Sequence, residues 1–69
     1  MKKKQVSLST LRTAKGLSQR ELSKELNFSA GLIGLYEIGK RKPSLENAIR
    51  IAGYFDTNIE KISFANLDK

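Results

Sequence analysis

The chain has 69 residues, with 13 basic and 7 acidic side chains, a formal net charge of +6 and a pI near 9.9. It contains no cysteine and no histidine, so it lacks disulfide chemistry, the commonest metal ligand and the commonest general base. Asp56 and Asp68 lie far apart, and no glycine-rich phosphate loop is present. The composition therefore argues against an enzyme, a metal site or a cofactor. The excess of basic residues is typical of nucleic-acid binders, although a basic membrane-surface module would share it.

A domain of this size buries only about 60% of its unfolded-chain surface, so self-association would add stability. No apolar run approaches the roughly 18–20 residues of a membrane span. The basic start, Met1 to Lys4, is followed by polar residues and not by the apolar core of a signal peptide. We therefore expect a single cytoplasmic domain.

Hydrophobic spacing and cap residues predict short helices, taken here in chain order. The first follows Ser7 as N-cap and stops at Gly16. The second opens at Ser18 and Glu21, three residues apart, which is the spacing of a capping box. It is expected to end at Asn27, because asparagine tolerates the left-handed backbone conformation better than most residues with a side chain.

Ser29 is the predicted N-cap of a third helix, which runs to about Ile38 and ends at Gly39. Its inner side is expected to carry Ile33 and either Tyr36 or Glu37. The next residues, Lys40 to Pro43, form a basic loop, because a proline disfavours helical geometry in the residue before it.

Ser44 is the predicted N-cap of a fourth helix with an apolar i, i+3, i+4, i+7 series. That series consists of Leu45, Ala48, Ile49, Ala52 and Phe55. Thr57 and Glu60 predict a second capping box that opens a short fifth helix carrying Ile59 and Ile62. The expected architecture is an all-α domain of five helices with a core at about residues 7–63, a short basic arm at 1–6 and a tail at 64–69.

The second and third predicted helices, within residues 18–38, are joined by a tight turn at Asn27 and Phe28, with the small residue Ser23 facing it. This arrangement is typical of the helix-turn-helix, whose second helix enters the major groove of DNA, although a generic helical hairpin shares the spacing. Further residues carry a more specific pattern. They are Leu11-Arg12, Lys15 to Gln19, Glu21-Leu22, Leu26, Phe28-Ser29, Ile33, Tyr36-Glu37, Gly39 to Leu45, Ile51-Ala52 and Thr57 to Ile62. Over about residues 8–63 the chain resembles the Cro/phage-repressor (XRE) helix-turn-helix family.

The resemblance implies a lambda-repressor-like domain that regulates transcription, most often as a repressor, and binds a two-fold symmetric operator in double-stranded DNA as a homodimer. It implies that Ser18 and Gln19 contact DNA phosphate at the start of the second helix. The basic residues Lys40, Arg41 and Lys42 are expected beside the DNA backbone. The matching positions for a buried ion pair between the first and third helices are Arg12 and Glu37.

The base-facing positions depart from the family pattern. They are Ser29, Ala30, Gly31, Leu32, Gly34 and Leu35. Only the serine offers a hydrogen-bonding group, where relatives commonly carry glutamine, asparagine, serine or arginine. One interpretation is that the glycines let the helix approach the groove while apolar side chains contact thymine methyls. The alternative is a protein-binding module, of antitoxin or anti-repressor type, that uses this apolar face.

The dimer contact is expected in the C-terminal part, between about Phe55 and Leu67. Phe64 and Leu67 follow the last predicted helix and have no obvious place in a five-helix core. They are therefore candidates for a symmetric contact between two copies.

Overall fold

A computed structural model describes residues 5–64 of the chain. Within that range it contains four α-helices, one 3₁₀ turn and a pair of two-residue strands. In chain order the elements are β1 (Val6–Ser7), α1 (Leu8–Ala14), α2 (Gln19–Leu26), α3 (Leu32–Ile38), α4 (Leu45–Tyr54), the 3₁₀ turn (Ile59–Lys61) and β2 (Ile62–Ser63). The expectation of a mostly helical domain is confirmed, and that of five α-helices is not.

Side-chain caps begin three of the helices, as the sequence predicts. The Ser7 hydroxyl accepts a hydrogen bond from the Thr10 backbone N–H at 3.1 Å. The Ser18 hydroxyl accepts from the Glu21 N–H at 2.9 Å, and the Glu21 carboxylate accepts from the Ser18 N–H at 2.8 Å. Ser44 caps α4 in the same way as Ser7 caps α1. These bonds satisfy amides that a helix cannot pair internally, and so they set where each helix starts.

The core lies between the helices and the strand pair, and every element except the 3₁₀ turn and β1 contributes a fully buried side chain. The buried apolar residues are Leu8, Leu22, Leu26, Ile33, Tyr36, Ala48, Ile51, Ala52, Ile62 and Phe64. Leu22, Leu26, Ile33 and Tyr36 are on the inner faces that the sequence predicts. Because α2 and α3 each bury a narrow stripe against the same core, their outer faces remain available for contacts with another molecule.

The buried face of α4 differs from the predicted one. Leu45 and Ile49 were expected inside, yet their side chains are 72% and 52% exposed. The buried positions are Ala48, Ile51 and Ala52, and Ile51 was missed. The predicted apolar series is wider than one face of the helix, and the packing of α4 against α2 and the 3₁₀ turn buries only part of it.

The predicted start of α3 at Ser29 is wrong. The helix begins at Leu32, after a turn in which the Leu32 N–H bonds to the Ser29 carbonyl. Gly31 is the N-cap, with φ of 84°, and no side chain caps this helix. A left-handed residue of this kind strongly favours glycine. Gly31 therefore ends the turn between α2 and α3 and is not part of the helix interior.

The predicted fifth helix is a single 3₁₀ turn followed by a strand. The N-cap of this turn is Asn58 and not Thr57, and the Asn58 side chain makes no cap hydrogen bond. β2 pairs in parallel with β1, placing Ile62 opposite Val6. The Gln5 side chain adds a hydrogen bond to the Glu60 carbonyl at 2.9 Å. This pairing holds the backbone extended after Lys61, so the helix cannot continue.

Phe64 is part of the core and does not belong to a free tail, since its side chain is only 4% exposed. The expectation that it forms a contact between two copies is therefore wrong. Leu67, the other residue proposed for that contact, and the basic stretch at residues 1–4 lie outside the described residues.

We expect Phe64→Ala to lower the free energy of unfolding by about 3–5 kcal/mol, because it leaves a cavity in a close-packed core. Phe64→Leu, which keeps most of the volume, is expected to cost less than about 1.5 kcal/mol. Urea denaturation of both variants measures the difference. Ile38→Ala is the matched control, since Ile38 is 61% exposed. A loss for Phe64→Ala as small as for this control would contradict the burial of Phe64.

Candidate nucleic-acid interface

The turn between α2 and α3 is short and closed by backbone hydrogen bonds. Asn27 ends α2 in the left-handed conformation with φ of 60°, as expected, and its N–H bonds to the Lys24 carbonyl at 3.1 Å. The Phe28 N–H bonds to the Ser23 carbonyl at 2.8 Å. Ser23 is buried, with its hydroxyl unpaired among the described residues. The small side chain at this crossing point lets α2 and α3 approach closely.

Arg50 of α4 contacts both ends of this turn and stabilises it, a role that sequence reasoning missed. Its guanidinium donates a hydrogen bond to the Leu26 carbonyl at the C-terminus of α2, where a cation is favoured by the helix dipole. It also lies over the Phe28 ring, 5.0 Å from the centroid, a cation–π arrangement. No local pattern identifies this contact, since Arg50 and Leu26 are 24 residues apart in sequence.

Arg12 and Glu37 form an ion pair between α1 and α3. Arg12 Nε donates to Glu37 Oε2 at 2.7 Å, and Nη2 donates to Oε1 at 3.2 Å. The third donor, Nη1, bonds to the Leu17 carbonyl at 2.8 Å. The two side chains are 14% and 7% exposed. Two parallel bonds fix the carboxylate in orientation as well as position.

Gln19 joins this pair from the first position of α2. Its Nε2 donates to Glu37 Oε1 at 2.8 Å, a contact that sequence reasoning missed. The side chain remains exposed beside Ser18, whose hydroxyl accepts from the Glu21 amide and so keeps its own proton for another acceptor. Two uncharged donors therefore lie at the N-terminus of α2, where an anion is favoured.

The basic loop is folded back on the end of α3. Gly39 has φ of 80°, and the Leu35 carbonyl accepts from the N–H groups of Lys40 and Arg41 at 3.0 and 3.3 Å. Lys40, Arg41 and Lys42 are all exposed. The backbone of Lys40 and Arg41 is thus held where α3 ends, and the side chains of these two residues and of Lys42 are exposed to solvent.

The expected base-facing residues fall into two groups. Ser29, Ala30 and Gly31 are exposed in the turn before α3, and not on the helix as predicted. Leu32, Gly34 and Leu35 lie on α3 and are half-buried, and Leu32 packs against the core. The apolar patch expected from Ala30, Leu32 and Leu35 is therefore smaller than the sequence predicts.

The chemistry of this surface suits a polyanion. The two carboxylates near it are engaged, Glu37 by Arg12 and Gln19, and Glu21 by the Ser18 amide. The groups that face solvent are three cations, the uncharged donors of Ser18, Gln19 and Ser29, and a small apolar area. Among residues 5–64 there is no group of three or more acidic side chains that could hold a metal ion, and no helix there is long and apolar enough to cross a membrane.

The helix-turn-helix family profile matches residues 8–62 of the chain. This range includes all four helices and the 3₁₀ turn, so the match and the fold describe the same unit. The chain belongs to the Cro/C1-type (XRE) helix-turn-helix family, a family of DNA-binding regulators. Comparison with curated proteins and with solved structures gives no match.

We expect Arg12→Ala or Glu37→Ala to lower the free energy of unfolding by about 3 kcal/mol, because each leaves a charge with little solvent around it. Replacing both residues together, as Arg12→Met with Glu37→Leu, should cost less than either alanine change alone. Urea denaturation of the variants measures the coupling. If the free energy lost by the double variant Arg12→Ala with Glu37→Ala equalled the sum of the losses of the two single alanine variants, the two side chains would not be coupled.

Proposed function

We propose that the protein is a sequence-specific regulator of transcription, a repressor, that binds double-stranded DNA through the major groove. The observation that carries this proposal is the group of three exposed cations, Lys40, Arg41 and Lys42, of which the first two are hydrogen-bonded through their backbone N–H groups to the end of α3. Cations held beside the outer face of α3 suit a duplex, whose phosphates lie on both sides of the groove. Such a protein would act in the cytoplasm, on the nucleoid.

Register on the duplex would come from the phosphate contacts. Ser18 and Gln19 would donate hydrogen bonds to phosphate from the N-terminus of α2, and the basic loop would contact the DNA backbone beyond the C-terminal end of α3. Because both groups are joined to α3 by hydrogen bonds, their phosphate contacts would fix the position of the helix in the groove.

Base reading would fall to the few groups that α3 and its preceding turn present. Ser29 offers the one hydroxyl, and Ala30 and Leu35 offer methyl groups for contact with thymine. With so few polar groups, much of the specificity would come from the shape and deformability of the DNA. Selection of bound sites from a random duplex library would define the operator.

We also propose that the protein acts as a homodimer, in keeping with a two-fold symmetric operator whose half-sites lie about 34 Å apart. With Phe64 in the core, the contact between copies needs another surface. Leu45 and Ile49 lie one turn apart on α4 and are the two most exposed large apolar residues of that helix. They replace Phe64 as the proposed contact.

Duplex affinity is expected to fall steeply with salt, with a log–log slope of about −0.9 for each phosphate neutralised. Arg41→Ala should weaken binding to every sequence and make the slope shallower by about one unit. Leu35→Ala removes an uncharged isopropyl group, so it should relax the preference at a thymine position and leave the slope unchanged. Fluorescence anisotropy titrations over a salt series measure both effects.

A flat salt dependence of the unmodified protein would overturn the DNA-binding proposal and favour the protein-binding alternative. If Leu35→Ala and Arg41→Ala changed sequence preference and slope in the same way, the division between base and phosphate contacts would be wrong. Leu35 is half-buried, so its variant is compared at a temperature where urea denaturation shows it fully folded.

Leu45→Ser combined with Ile49→Ser is expected to raise the dissociation constant of the dimer by about tenfold or more, because the contact loses its apolar centre. Sedimentation equilibrium measures this constant, and Ile38→Ser is the control for an exposed apolar residue elsewhere. A chain truncated after Phe64 tests the tail while keeping the core intact. Loss of the dimer on truncation, with no effect of the serine changes, would move the contact to residues 65–69.

A further inference from the structure

Gly34 lies in the middle of α3, where glycine destabilises a helix relative to alanine. Its backbone does not require glycine, since the positive-φ glycines of the described chain are Gly16, Gly31 and Gly39. A reason for it therefore has to come from the space around its Cα. The atoms nearest to a Cβ placed there all belong to the Gln19 side chain.

The amide group of Gln19 fills the space that a side chain at position 34 would occupy. A Cβ at Gly34 would be 3.0 Å from Gln19 Oε1 and 3.5 Å from its Cδ, so the amide would have to shift by a few tenths of an ångström. The amide lies in this position because its Nε2 reaches Glu37, one turn further along α3, at 2.8 Å. Gln19 thus crosses from α2 over Gly34 to Glu37.

The charge on Glu37 decides which way the amide faces. A carboxylate accepts hydrogen bonds only, so Gln19 must turn its NH₂ group towards Glu37 and its carbonyl towards Gly34. Arg12 holds the carboxylate itself in place through bonds of 2.7 and 3.2 Å. One hydrogen of the NH₂ group is used by Glu37, and the second stays available to another acceptor.

We propose that Gly34 is a positioning residue for the DNA contact of Gln19: its missing side chain makes the room in which Glu37 holds the Gln19 amide ready to donate to a phosphate. This inference rests on the proposed function. Glutamine has several rotatable bonds, and a side chain ordered before binding loses less conformational freedom on the DNA. The close approach that explains this glycine is then made within the protein and not against the groove.

A double-mutant cycle of Gly34→Ala and Gln19→Ala, measured as duplex dissociation constants, tests the proposal. With Gln19 present, Gly34→Ala is expected to raise the duplex dissociation constant about five- to tenfold, which corresponds to the loss of one hydrogen bond. In the Gln19→Ala background the same change should alter binding by less than about twofold. The salt slope should stay constant throughout, because glutamine releases no counterion.

Gly53→Ala is the matched control. Gly53 also lies within a helix, in the last turn of α4, and a Cβ there would meet nothing within 4 Å, so the change raises helix propensity without touching Gln19. It should leave the dissociation constant unchanged. Side-chain ¹⁵N relaxation of the Gln19 amide gives a reading without DNA, with restricted motion expected in the unmodified protein and in Gly53→Ala, and free motion in Gly34→Ala.

Equal weakening by Gly34→Ala in both backgrounds would overturn the proposal and indicate a clash with the DNA itself. Unchanged binding together with an unchanged Gln19 amide would overturn it as well. Both results presuppose salt-dependent binding by the unmodified protein. If that binding is absent, the proposed function fails, whatever Gly34→Ala does to the amide.

Discussion

The carboxylate of Glu37 joins three helices at the surface that we propose to face DNA. It receives two bonds from Arg12 of α1 and one from Gln19 of α2, while itself belonging to α3. An acidic group on this surface would repel phosphate if it were unpaired. Enclosed by a cation and an amide, it instead fixes the relative positions of three helices and orients a donor at the start of α2.

A second set of contacts holds the opposite side of the α2–α3 unit. Arg50 reaches from α4 to the end of α2 and stacks on Phe28 in the turn, and Tyr36 accepts a hydrogen bond from Asn47 at 3.0 Å. With so few residues, the domain cannot rely on a large apolar core alone. Polar side chains that each bridge two elements supply much of the rigidity that a recognition helix needs.

Gly31 and Gly34, which belong to the turn before α3 and to α3, are each explained by a different feature within the protein. Gly31 is required by a left-handed turn, whereas Gly34 lies under the Gln19 amide. Neither needs a close approach to DNA to account for it. Contacts and backbone geometry within the protein are therefore sufficient to account for both glycines.

Local patterns in the sequence determined the helical class and the caps at Ser7, Ser18 and Ser44, because each depends on residues only a few positions apart. The family also followed from the sequence, because residue types at many positions over about residues 8–63 match its pattern. Tertiary structure alone decided the face that α4 buries, the replacement of a fifth helix by a strand paired with β1, and the burial of Phe64. It also decided that Gln19 and Gly34 meet. Some of these features depend on contacts between residues 15 to 56 positions apart in sequence. The others depend on which apolar side chains the packed core can cover.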